Sequence, residues 1–262
     1  MNNIFSEEGF LIRRNYYSKN AIKELNTYLD SLTPRVSGLN YEVPWGYGDF
    51  KKDPFFLKNI FTNDLKEEFN NLYPEGWNLS HLVVNEKAPF VGQDVEWHQE
   101  CSNIDTFSPG AQWESSWKKF IQIYVALDDE TELNGGLLFF SKSHEDGLLE
   151  HVDILSPALT HKRGLTYSSL SKASKKFTLK KAMLKSGDLL IFNSLLIHGS
   201  GRNMDALRRR SIVSQIYSIG VPEWNQDIFK REQNFRKNYV SEKLSEYVDR
   251  FSQRAMYEDI KR

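Results

Sequence analysis

Residues 119–141 read KFIQIYVALDDETELNGGLLFFS. Two short runs rich in branched and aromatic residues, 119–127 and 136–141, flank a polar, Gly-containing turn at 128–136. Strands joined by turn chemistry have this form. Four more runs of the same texture surround it: NLSHLVVN (78–85), VEWHQE (95–100), DLLIFNSLLIHGS (188–200) and RSIVSQIYSIG (210–220). No helical pattern alternates with them, which argues against a parallel α/β sheet and for a sandwich or closed barrel.

Helices are expected on either side. Ser18 precedes a stretch in which Ile22, Leu25, Leu29 and Leu32 recur at helical spacing, so it caps a helix over about 19–32. A second is expected over 63–72, with Leu65, Phe69 and Leu72 on one face, and a charged amphipathic one over 226–257. No repeat breaks the chain. The expectation is one domain over 1–262, with a β core at about 75–220 and helical elements packed outside.

Composition narrows the function. Lys and Arg total 34 against 35 Asp and Glu, a net charge of −1, so there is no global basic field of the kind a dedicated nucleic-acid binder carries. A single cysteine removes both a disulfide framework and a cysteine zinc site, which suits a reducing compartment. The first residues carry early acids and no apolar core, unlike a secretory signal. A soluble cytoplasmic protein with no membrane segment, monomeric or homodimeric, is the expectation.

The chemistry lies in Trp97-His98-Gln99-Glu100 and in His198 of IHGSGRN. On a strand, residues i and i+2 share a face, so His98 and Glu100 project together and one further histidine completes a set. Two histidines and one carboxylate hold Fe(II) and leave positions open. A structural zinc would want four protein ligands. On a regular strand Asp94, Glu96 and Glu100 all share the face of His98, so spacing leaves Glu96 open as the carboxylate beside Glu100.

WHQE (97–100), YVALDDETELNGGLLFFSKSH (124–144) and LKSGDLLIFNSLLIHGSGRN (184–203), with Arg209 eleven residues after His198, occur in an order that resembles the phytanoyl-CoA dioxygenase-like family of Fe(II)/2-oxoglutarate-dependent oxygenases. The resemblance runs over about 75–220. It implies a double-stranded β-helix (jelly-roll) core. It also implies iron held by His98, Glu100 and His198, with 2-oxoglutarate and O2 as co-substrates. Arg209 is then expected to bind the far carboxylate of 2-oxoglutarate, joined by the Ser200 hydroxyl, with Tyr124 and Gln122 lining the co-substrate pocket. The implied reaction is hydroxylation of a small molecule with decarboxylation of 2-oxoglutarate to succinate. Two departures stand out: Glu100 replaces the usual Asp, and the turn motif has become Ser141-Lys142-Ser143-His144, where His144 reads as a turn residue. A carboxylate at position 100 argues against halogenation, which in related enzymes needs that ligand missing.

Among Arg208, Arg209 and Arg210, alternation puts Arg209 on one face and its neighbours on the other, solvated or at the rim; a one-residue bulge would exchange the roles. Residues 154–187 hold eight Lys or Arg and no acid, which reads either as a rim for an anionic or carrier-linked substrate or as a solvated loop and edge strand. The loop 101–118, with Phe107, Pro109, Trp113 and Trp117, reads as a lid or as an anchored loop; Trp45 and Tyr47 are weaker wall candidates, and Cys101 reads as a small filler. Two other functions fit the same residues: a cupin-like metal enzyme without 2-oxoglutarate, and a non-catalytic jelly-roll binding module.

Overall fold

A computed structural model describes residues 3–32, 50–90, 92, 94–100, 120–153 and 163–219. The lid candidates of 101–118, Trp45, Tyr47 and the expected helix over 226–257 lie outside these residues. Within them the chain forms helices α1 (Asn3–Glu8), α2 (Lys19–Ser31), α3 (Pro54–Ile60), α4 (Asn63–Leu72) and α5 (Tyr167–Lys176). The strands are β1 (Phe10–Arg13), β2 (Trp77–Lys87), β3 (Val95–His98), β4 (Phe120–Ala126), β5 (Leu137–Ser141), β6 (His151–Asp153), β7 (Arg163–Leu165), β8 (Thr178–Lys181), β9 (Leu189–Asn193), β10 (His198–Ser200) and β11 (Arg209–Ser218). No helix among the described residues is long and apolar enough to cross a membrane.

The strands form two antiparallel sheets, β1-β9-β4-β11-β2 and β3-β10-β5-β8, with β6 and β7 as a separate pair. This is the expected jelly roll. The larger sheet is covered on both sides, which explains why β4 and β9 are buried at every position. Its outer face carries Leu82, Val84, Ile121, Ile123, Val125, Leu189, Ile191, Ile212 and Ile216, packed on Leu25, Leu29, Phe56, Ile60, Leu65 and Phe69 of the helices. Its inner face carries Tyr124, Ala126, Leu190 and Phe192, packed on Leu137 and Phe139 of the smaller sheet. Period-2 alternation thus sorts each strand between two apolar layers.

The helices expected over 19–32 and 63–72 are present as α2 and α4. The Ser18 side chain accepts from the Ala21 amide at the start of α2, and Thr62 does the same for Leu65 at the start of α4. Asp53 caps α3, a helix not anticipated, through the Phe55 and Phe56 amides, with Pro54 in its first turn.

Three expectations need correction. The β core does not begin near residue 75: β1 pairs along the edge of β9, with Phe10 opposite Phe192 and Arg13 opposite Leu189. The run 188–200 is two strands rather than one. The Asn193 side chain accepts from the Leu195 amide, an Asx turn that lifts the chain out of the larger sheet and delivers His198 into the smaller one. The stretch 154–187 includes helix α5 as well as the anticipated edge strand, β8.

Candidate metal and co-substrate site

His98 ends β3 and His198 begins β10, and the two are direct partners across those strands. Their rings lie 4.2 Å apart, centroid to centroid. Each Nδ1 faces a backbone carbonyl: Glu96 O at 2.6 Å for His98 and Leu196 O at 2.9 Å for His198. A carbonyl only accepts, so each Nδ1 carries the proton and each Nε2 presents a lone pair. Burial, and then the charge of the neighbouring His98, push the His198 pKa below its ordinary value, which favours the neutral, ligating form.

Both Nε2 atoms point at Glu100, whose Oε1 is 3.2 Å from His198 and 3.5 Å from His98. The ligand atoms of His98, Glu100 and His198 all lie within 4.8 Å of one another. Three lone pairs so close repel unless a proton or a cation joins them. The donor set therefore fits a divalent metal held on one side by two imidazoles and a carboxylate.

Glu100 reaches this position by leaving strand geometry. β3 stops at His98, and Glu100 lies in a 3-10 turn with its amide donating to Ser194 O. His98 and Glu100 therefore converge, but not through the i, i+2 strand geometry expected of them. Glu96 offers its carbonyl to His98 while its carboxylate stays out of the cluster.

Gln99, within the motif but assigned no role from sequence, is fully buried. Its Nε2 donates to Gly147 O and Leu195 O, and its Oε1 accepts from the Leu149 amide. It joins the strands of both histidines to the segment that follows β5.

A second polar cluster lies on the inner face of the larger sheet. Arg209 points inward, as alternation required, and is 4% exposed. Its Nη1 donates to the Tyr124 hydroxyl at 2.6 Å and to Glu130 Oε1 at 2.9 Å. Burial opposes its charge, but Tyr124 and Glu130 more than offset this and hold the guanidinium above its ordinary pKa. Burial, foremost, raises the Tyr124 pKa, so the phenol stays protonated. Arg209 Nε is buried with no hydrogen-bond partner among the described residues. That orphaned donor suits a carboxylate partner.

Tyr124 thus stands beside Arg209. Gln122 shares its face, but its amide nitrogen donates to Ser194 Oγ at 3.2 Å, so it supports the turn before β10. Ser200 is buried at the end of β10, opposite Leu137 of β5, and no hydrogen bond among the described residues links it to Arg209. Arg208 and Arg210 both reach Asp30, at 3.2 and 2.7 Å. The expected solvated pair is corrected for Arg210, whose guanidinium is 1% exposed beneath α2.

Buried charges that escaped sequence reasoning include Glu130, Lys87 and Asp188, the last paired with Arg14. Glu130 lay inside a stretch read only as a turn. Lys87 lies just beyond the run 78–85; carrying the inward alternation of Val83 and Asn85 two residues further would have put it inside. His144 is a turn residue, as expected: it sits in the 3-10 turn Ser143–Asp146, against Ser6 O. Four of the eight basic residues of the stretch 154–187 are paired by the rest of the fold. Lys176 pairs with Asp146, Lys180 with Glu8, Lys181 with Glu132 and Lys185 with Asp129.

The family model described as phytanoyl-CoA dioxygenase (PhyH) matches residues 5–211. The chain belongs to the phytanoyl-CoA dioxygenase family. Among curated members of that family, phytanoyl-CoA dioxygenase 1 of Oryza sativa subsp. japonica is 25% identical over 184 residues, covering 69% of this chain and 59% of the relative. The Arabidopsis thaliana phytanoyl-CoA dioxygenase is 23% identical over 141 residues, covering 54% and 44%. The chain thus spans less than two thirds of either relative. Among solved structures, EctD from S. alaskensis with bound Fe superposes with a TM-score of 0.64 at 16% identity, over 82% of this chain and 74% of that one. HygX from Streptomyces hygroscopicus, with nickel, 2-oxoglutarate and hygromycin B bound, gives 0.58 at 16% identity, over 85% and 88%. At such identities the superpositions establish the fold shared with this phytanoyl-CoA dioxygenase family member.

Proposed function

We propose that this chain is a non-haem Fe(II)- and 2-oxoglutarate-dependent oxygenase that hydroxylates a small molecule in the cytoplasm. The observation that carries the reading is the convergence of His98, Glu100 and His198 within 4.8 Å, in a chain of this family. Iron and 2-oxoglutarate bound there would supply the oxidising chemistry, with O2 consumed and CO2 and succinate released.

The residues around the site perform the rest. The Glu96 and Leu196 carbonyls hold both imidazoles in the ligating tautomer. Arg209 offers its unpartnered Nε edge to the far carboxylate of 2-oxoglutarate, with Ser200 as the second donor. Tyr124 and Glu130 fix the guanidinium through Nη1. Gln122 steadies the turn that carries His198. Because half of the basic stretch is already paired on the outer surface, the proposed substrate is a small molecule recognised without it.

One observation favours a second reading. Glu130 occupies Arg209 as a carboxylate ligand would, which suits a cupin-like metal enzyme that uses no 2-oxoglutarate. Anaerobic titration with Fe(II) and 2-oxoglutarate separates the two. A weak visible charge-transfer band, abolished by His98→Ala and weakened by Arg209→Ala, supports the oxygenase, and succinate release then screens substrates. Iron bound without a band moves the assignment to the cupin-like enzyme, and neither iron nor band leaves the binding module.

A further inference from the structure

We propose that Glu130 sets the co-substrate specificity of the site: seated on Arg209, it takes up the interaction that a far carboxylate would otherwise receive, so the chain binds 2-oxo acids with and without a second carboxylate almost equally well. This rests on the function proposed above, and names the class of oxo acid that the same site admits.

Glu130 is held too firmly to step aside. It is 1% exposed, in the turn after β4, and its amide donates to the Leu184 carbonyl at 2.7 Å. Its Oε2 accepts from the Leu137 amide of β5 at 3.1 Å, and its Oε1 accepts from the Tyr124 hydroxyl of β4 and from Arg209 Nη1 of β11. Both oxygens therefore have partners, on three strands. The turn itself is closed by Asn134, whose side chain accepts from the Thr131 amide and donates to the Asp129 carbonyl. Release of the carboxylate would strand the Leu137 amide and uncover a buried guanidinium, both costly.

On Arg209 this leaves one edge. Nη1 serves Tyr124 and Glu130, while Nε has no hydrogen-bond partner among the described residues. A carboxylate arriving at Nε would share one cation with a carboxylate already in place. Like charges that meet in a buried site oppose each other strongly, so the attraction for a far carboxylate is largely cancelled. The keto and near carboxylate oxygens of any 2-oxo acid, which the metal would hold, are unaffected.

Other charges face this space. Lys87 lies directly opposite Arg209 on β2, and Asp128 approaches from the turn after β4. Both are common to the wild type and to any Glu130 variant, so a change of affinity on removing the Glu130 charge reports on Glu130 and Arg209. Glu130→Gln keeps the shape of the side chain and can still accept from the Leu137 amide.

The test is calorimetric titration of the Fe(II)-loaded full chain, without oxygen, with 2-oxoglutarate and with pyruvate, for wild type and Glu130→Gln. Wild type should prefer 2-oxoglutarate by less than about tenfold. Glu130→Gln should tighten 2-oxoglutarate by more than about tenfold and leave pyruvate within about threefold, because only the far carboxylate meets Arg209. A residue that merely positions Arg209 would give the opposite sign, so weakened or unchanged binding of 2-oxoglutarate in the variant overturns the proposal. So does equal tightening of both oxo acids. Iron bound with neither oxo acid, in either protein, overturns the function itself, and this inference with it. If Glu130→Gln fails to fold, wild type alone decides: a preference for 2-oxoglutarate above about tenfold refutes the proposal, and one below it supports it.

Discussion

Gln99 Nε2 donates to the Leu195 carbonyl at 2.6 Å, tying the residue before Glu100 to the turn that delivers His198. The two halves of the metal cluster lie far apart in sequence, and this amide is one physical link between them. Gln99→Ala removes all three of its side-chain hydrogen bonds inside the protein. Loss of such support typically lowers metal affinity by about 10–100-fold, and anaerobic Fe(II) titration should show a fall in that range. A retained affinity would mean that the strands alone fix the ligands.

Gly135 is expected to tolerate no side chain. Its left-handed backbone would cost alanine about 1–2 kcal/mol. The 2.3 Å approach of a Cβ to Gly201 O adds to that. Gly135→Ala should lower the urea midpoint of unfolding, since it displaces the segment whose Gly201 carbonyl receives the Lys87 ammonium.

Phe69 joins α4 to the outer face of the larger sheet, against Phe61 and Trp77 at ring separations of 6.5 and 5.3 Å. It is fully buried. Phe69→Ala should cost about 3–5 kcal/mol in chemical denaturation. The metal cluster is on the other side of the sheet, so iron affinity per folded molecule should change little.

Glu8 accepts from Lys180 at 2.8 Å and from the Ser141 hydroxyl. The Lys180 hydrogen bond, and then that of Ser141, hold its carboxyl below the ordinary 4.5. A depressed carboxylate contributes stability above its unfolded pKa and loses it as pH falls through the folded value. Glu8→Gln should therefore be less stable than wild type at neutral pH, by under about 1 kcal/mol for so exposed a pair. The difference should vanish in thermal melts well below pH 4.5.

The parts of the fold legible in the sequence were those set by local chemistry. Ser18 and the spacing of Ile22, Leu25 and Leu29 mark α2 because caps and apolar periodicity act within a few residues. Inward Arg209 follows from alternation on a strand long enough for parity to hold. What escaped was decided by distant partners. The four residues of β1 carry no pattern of their own and become a strand only because β9 offers an open edge. Asn193 sits in an apolar run that looks continuous, and its side chain, rather than hydropathy, ends the strand. Glu130 sits in a polar turn, and only the folded barrel reveals that it is enclosed, whereas Lys87 closes a strand whose alternation runs further than its apolar run suggests.

The pairing of β1 with β9 bears on self-association. β9 is LLIFN, apolar up to its final Asn193, and β1 covers the edge of that strand that β4 does not. Stripped of residues 10–13, β9 would present a row of unpaired amides and carbonyls beside leucine, isoleucine and phenylalanine side chains, a ready template for another chain. The N-terminal segment therefore works as a shield against aggregation as much as a piece of the barrel, and its loss would register in solubility before it registered in chemistry.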